Sequence, residues 1–132
     1  MRAAIWDGPG EMHLGEVPDA ACPQDGCLLR VTACGICGTD VRTFYNGDRR
    51  IEPGAVLGHE ICGEVIEVGP RAGGDLTAVP GDQVQALEML RRNTHNIRGV
   101  VSDVVSLDDT PGAFGRIRTG EAMKVVVVPN AS

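Results

Sequence analysis

Cys34-Gly35-Ile36-Cys37-Gly38-Thr39-Asp40 and Gly58-His59-Glu60-Ile61-Cys62-Gly63 are the two segments around which this sequence is organised. Together they offer thiol, imidazole, carboxylate and hydroxyl groups, the side chains that bind and tune a transition metal. Cys-x-x-Cys followed by His-x-x-Cys suits zinc, which takes sulfur and nitrogen ligands tetrahedrally. The glycines beside each candidate ligand let the backbone turn sharply and leave room around a metal.

Working outward, residues 27–33 alternate Cys27, Leu29, Val31 and Ala33 against Leu28, Arg30 and Thr32, the pattern of a half-buried strand. This strand delivers the chain into a turn over residues 34–37. Thr39 or Asp40 is then the expected cap of a short helix with Val41, Phe44 and Tyr45 on its apolar face, ending at Asn46-Gly47. Residues 56–68 read as one further strand, with Ile61, Val65 and Ile66 apolar between glutamates. Upstream, residues 1–6 and 12–17 pair as a hairpin across Asp7-Gly8-Pro9-Gly10. Downstream come a strand start at Gln83-Val84, a helical period over 86–92 and a β-branched strand over 100–107. A helix with Thr110 as cap, Pro111 at its first position and Gly120 as its stop follows, then a buried strand over 125–128. Many short strands with two or three short helices predict a small barrel with helical additions.

The totals agree with one small domain. The chain has 132 residues, 18 of them glycine and 8 proline, and only 3% aromatic, so the core must be built largely from aliphatic side chains. A net charge of -6 argues against nucleic acid or an anionic membrane as partner, because both recruit basic patches. No apolar run approaches the ~20 residues of a membrane-spanning helix, and the N-terminus shows no apolar signal-peptide core. Five cysteines without a secretion signal fit reduced thiols in the cytoplasm.

Several motifs occur here in combination. They are Gly35-Ile36-Cys37-Gly38-Thr39-Asp40, Gly58-His59-Glu60 with Gly63 and Val65, Val68-Gly69, and Pro80-Gly81-Asp82-Gln83-Val84. With them the chain resembles the catalytic domain of the zinc-dependent medium-chain alcohol and polyol dehydrogenases. The resemblance implies a mainly β fold with short helices (α+β), a GroES-like, partly open β-barrel. The tail, with Leu107-Asp108-Asp109 and Gly120 before Lys124-Val125-Val126, resembles the last segment of such enzymes, which returns to the barrel after the cofactor domain. The expectation is a single domain assembled from residues 1–84 and 85–132, with the four-cysteine lobe that holds a structural zinc and the Rossmann domain missing between them.

Binding of NAD(P) by this chain alone is not expected. A dinucleotide site needs Gly-x-Gly-x-x-Gly between a strand and a helix. The only Gly-x-Gly is Gly8-Pro9-Gly10, with His13 where the third glycine would stand, in a hairpin turn.

Residue by residue, the resemblance implies Cys37 and His59 as zinc ligands. The family's third ligand, a Cys or Glu, lies in the absent region. Glu60 resembles the glutamate that borders the metal and can ligate it; Cys34 and Cys62 are the other local candidates, each also readable as a small buried hydrophobe. Asp40 resembles the carboxylate that orients the ligand imidazole, and Thr39 the hydroxyl that relays the substrate's proton; both are also candidate helix caps. Lys124 resembles a basic contact to the cofactor pyrophosphate, and without a cofactor domain it reads as a solvated strand charge. His13, His95, Cys22 and Cys27 read as surface or packing residues.

The function expected is that of an oxidoreductase-type domain with a zinc site, not self-sufficient for hydride transfer. The alternatives are a repurposed binding or redox-neutral lyase- or hydratase-like module, and a non-catalytic scaffold. A small-molecule substrate is one expected partner. A second copy or a separate chain is expected over the apolar face that a missing cofactor domain would leave.

Overall fold

The computed structural model describes residues 1–73, 78–85 and 101–129. Its elements are β1 (Arg2–Gly8), β2 (Glu11–Glu16), β3 (Cys27–Ile36), α1 (Gly38–Asn46), β4 (Ala55–Val56), β5 (Glu60–Val68), β6 (Gln83–Gln85), β7 (Asp103–Ser106), α2 (Thr110–Thr119) and β8 (Val125–Val128). The strands form a three-stranded sheet in the order β2-β1-β4 and a five-stranded sheet in the order β6-β5-β3-β8-β7. The expected mainly β fold with short helices is what forms. The helix expected over 86–92, and His95, lie outside the described residues.

The hairpin of β1 and β2 pairs Arg2 with Glu16 through Trp6 with Met12, and a register shift between Trp6 and Gly8 marks the turn. Ala3, Ala4, Ile5 and Trp6 are all buried, so β1 is covered on both faces. Strand β3 is the centre of the larger sheet. Along one side it pairs antiparallel with β5 over its whole length, and its last residues, Cys34 to Ile36, pair antiparallel with β8 on the other. The predicted alternation survives where Arg30 and Thr32 face solvent, and register shifts at Leu28/Leu29 and Val31/Ala33 reset it on either side.

The tail therefore builds the barrel wall next to the candidate metal segments. Val125 and Val127 of β8 enter the core, and β7 lies parallel to β8 at the sheet edge. Phe44 of α1 and Phe114 of α2 stack with ring centroids 4.6 Å apart, joining the two helices over a cluster that includes Trp6, Ile36, Val105 and Val125. Trp6 Nε1 donates to the Phe44 carbonyl at 3.2 Å, and the Gly10 amide donates to the same oxygen at 2.7 Å. One carbonyl left open at the end of α1 thus ties the β1–β2 turn to the helix.

Three sequence expectations need correction. The single strand expected over 56–68 is broken: β4 pairs with β1, while β5 pairs with β3. The break is at Gly58, whose φ of 121° is open to glycine and strained for other residues. Helix α1 is capped by Cys37, not by Thr39 or Asp40. Helix α2 begins at Thr110 itself, with Asp109 as its cap residue and Pro111 one position further in than expected. The Asp109 side chain makes no cap bond; it accepts from Ser106 Oγ at 2.8 Å. Gly120 does end the helix, in the left-handed conformation at φ 78°.

Candidate metal centre

Antiparallel register brings the two quoted segments together. Gly35 of β3 pairs with Glu60 of β5, so the chain leaving β3 and the chain entering β5 meet at one end of the sheet. Cys37 stands just after the first strand and His59 just before the second. Twenty-two positions apart in sequence, they place Cys37 Sγ and His59 Nε2 3.5 Å apart.

The sulfur is fixed by the start of α1. As the cap residue, Cys37 accepts from the amides of Thr39 at 3.2 Å and Asp40 at 3.4 Å. Asp40, at the third helical position, returns the bond: its Oδ2 accepts from the Cys37 amide at 2.8 Å, completing a capping box. A cysteine ligates as thiolate, and these two N–H groups point at the atom that would carry that charge.

Asp40 has a second task. Its side chain is only 6% exposed, and its other oxygen lies 3.3 Å from His59 Nδ1. A carboxylate acceptor there favours the imidazole tautomer with hydrogen on Nδ1, which leaves the Nε2 lone pair facing Cys37. The buried carboxylate thus orders both donors at once, the sulfur through the backbone and the imidazole directly.

Gly58 completes the corner. Besides its positive φ, any Cβ placed there would lie 2.7 Å from Cys34 Sγ. Burial, and then the negative charge of Asp40, push the Cys34 thiol up to about 11. Cys34 is thus a packed thiol beneath the corner.

Among the described residues, the ligand-type atoms lying within 4.8 Å of one another are those of Cys37, Asp40 and His59. Glu60 points elsewhere. Its carboxylate pairs with the Lys124 ammonium, and the two side chains are 19% and 22% exposed. Lys124 is therefore not the solvated charge expected from the sequence. The pair fits because residue 35 is glycine: a Cβ there would come within 2.5 Å of Glu60 Oε2. No spacing rule signals this contact, since its partners are 64 positions apart. Cys62 pairs with Ala33 within the sheet, away from the group. Cys22 and Cys27 are free thiols, as are the other three cysteines. His13 pairs with Asp7 on the hairpin surface at 2.6 Å.

The donor chemistry and spacing fit zinc. Sulfur at ~2.3 Å and nitrogen at ~2.05 Å from one tetrahedral zinc lie about 3.6 Å apart, against the 3.5 Å observed. Beside the donors runs a cleft of about 560 Å³ between α1 and residues 50–59, lined by Thr39, Thr43, Arg50, Pro53, Leu57 and His59 among others. Thr39 is exposed and lines the cleft.

Comparison with known proteins gives a consistent result. Residues 23–131 match the family described as the alcohol dehydrogenase GroES-like domain. A zinc-type alcohol dehydrogenase-like protein of Schizosaccharomyces pombe is 44% identical over 72 residues, covering 52% of this chain and 17% of that protein. Sorbitol dehydrogenase of Bacillus subtilis is 32% identical over 124 residues, covering 86% of this chain and 34% of that enzyme. Among solved structures, the zinc dependent alcohol dehydrogenase 2 from Streptococcus pneumonia superposes with a TM-score of 0.57 at 29% identity, over 64% of this chain and 24% of that one. The chain thus spans 17% and 34% of the length of these two curated relatives.

Proposed function

Because this chain belongs to the alcohol dehydrogenase GroES-like domain family, we propose that it is the metal-holding, substrate-side part of a zinc-dependent alcohol dehydrogenase-type oxidoreductase. The observation that carries this reading is the Cys37–His59 donor pair at 3.5 Å with Asp40 behind both residues. Cys37 and His59 would hold the zinc, which when bound supplies Lewis-acid polarisation of an alcohol oxygen. Asp40 keeps the imidazole in its ligating tautomer. Thr39, on the cleft side of the α1 start, takes up the substrate's hydroxyl proton and passes it toward solvent. Glu60 is held on Lys124, turned from the donor pair.

Hydride transfer needs donor and acceptor about 3–3.5 Å apart. We read this chain as not self-sufficient for that step: a separate nucleotide-binding chain docked on it supplies the nicotinamide. Two measurements test the proposal. Protein purified without chelator should carry close to one zinc per chain, and Cys37→Ser should lose it while keeping its fold. Native protein mixed with NAD(P) and a panel of alcohols should show no turnover until a nucleotide-binding partner is added. A zinc content that Cys37→Ser leaves unchanged would refute the metal assignment, and turnover by the isolated chain would refute the dependence on a partner.

A further inference from the structure

The cleft beside the metal corner has a charged rim that the reaction just described does not use. Arg50 lines it, at the turn joining α1 to β4. The turn is closed by a bond from the Ile51 amide to the Asp48 carbonyl at 3.0 Å. Within it, Asp48 Oδ1 accepts from the Arg50 amide and from Arg50 Nε, each at 3.0 Å, and Oδ2 accepts from Nη2 at 2.9 Å. These bonds from Arg50, helped by the charge of Arg42, hold the Asp48 carboxyl well below the usual carboxylate range.

The consequence lies in what this arrangement leaves over. A guanidinium has five N–H donors, and Asp48 uses one on Nε and one on Nη2. Both hydrogens of Nη1 and the second of Nη2 remain, forming another planar fork on a side chain whose direction is already fixed. Such a fork matches two oxygens of a phosphate or carboxylate, and holding it in advance removes part of the ordering entropy of binding. Of the two carboxylates that line the cleft with Arg50, Asp40 is already committed to the Cys37 amide and His59, and Glu52 stands on the rim, so Arg50 is the cleft's one guanidinium among the described residues.

We propose that this rim is an anion subsite: Arg50 receives a phosphate or carboxylate carried by a hydroxy compound whose hydroxyl lies toward Thr39 and His59. The substrate class is then an anionic alcohol, not a simple alkanol or neutral polyol. The inference rests on the reading of the cleft as an alcohol site.

Titration calorimetry at low ionic strength tests it with glycerol 3-phosphate, lactate and glycerol as probes. At least one of the two anions should bind the native protein tenfold or more tightly than glycerol. Comparing them distinguishes a phosphate subsite from a carboxylate one. Arg50→Gln should weaken the preferred anion at least fivefold and leave glycerol unchanged, and Arg50→Lys should recover only part, since it restores charge without the fork. Arg50 is 82% exposed, so its replacement leaves the core intact. No preference for either anion over glycerol would overturn the subsite. So would a preference that Arg50→Gln leaves intact, because the anion would then be held elsewhere, including on zinc. Zinc content of the same samples reports separately on the proposed function. A zinc-free chain that prefers an anion through Arg50 keeps the subsite and loses the dehydrogenase reading. A zinc-bearing chain with no such preference does the reverse.

Discussion

Replacing Asp40 separates its two tasks. In Asp40→Ala the Cys37 amide loses its acceptor, which is the half of the capping box that Asp40 supplies, at about 1–2 kcal/mol for a half-buried group. Unfolding entropy is about 2.1 cal/mol/K per residue, or about 0.28 kcal/mol/K over 132 residues, so the apo protein should melt about 4–7 °C lower. In Asp40→Asn the side-chain oxygen can still accept from the Cys37 amide, and apo stability should stay within about 1 kcal/mol of native. The charge behind His59 is gone, however, and loss of such a partner lowers metal affinity about 10–100-fold. Thermal melts with chelator present give the first quantity, and competition against a chromogenic chelator gives the second. Zinc affinity of Asp40→Asn within twofold of native would refute the positioning role. Loss of all measurable zinc would instead make Asp40 a direct ligand.

Other perturbations probe the surroundings of the donor pair. Gly58→Ala combines a strained φ with a contact on Cys34 and should destabilise by about 2–4 kcal/mol; Cys34→Ala in the same chain should recover about 1 kcal/mol, measured by urea unfolding. Lys124→Met strands the Glu60 carboxylate and should lower stability by about 2–3 kcal/mol, with Glu60→Gln in the double variant restoring at least half; additive effects would mean that the pair is not coupled. Cys34 gives a pH signature. Its folded value of about 11 lies above the ordinary 9.0, so the folded state retains a proton that the unfolded state has released. Stability should therefore be fully present below about pH 9 and fall between 9 and 11. Native protein should lose stability over that window relative to Cys34→Ala, as read by urea unfolding at a series of pH values.

Much of the metal corner is written locally. Cys37 and His59 stand in short glycine-flanked motifs, and the ends of both helices are marked by Gly47 and Gly120, which their turns require. Both described helices start earlier than their local sequence signals indicate, at caps Cys37 and Asp109. Asp40 is legible as the partner of the imidazole; it is not the cap residue, but its second oxygen completes the capping box from the third helical position. Cys37 is not legible as a cap, because sulfur is a weak acceptor and acts here only where two amides converge on it.

A residue and its near neighbours were enough to set the solvent-facing Arg30 and Thr32 of β3, the turn glycines and the donor types. Only the tertiary structure decided the partners. Glu60 turns from the donor pair to Lys124, Gly58 transfers the chain from one sheet to the other, and β8 closes against β3. Each of these contacts joins distant positions or depends on space that another segment leaves open. Register and packing fix such contacts, and neither is carried by a short stretch of chain.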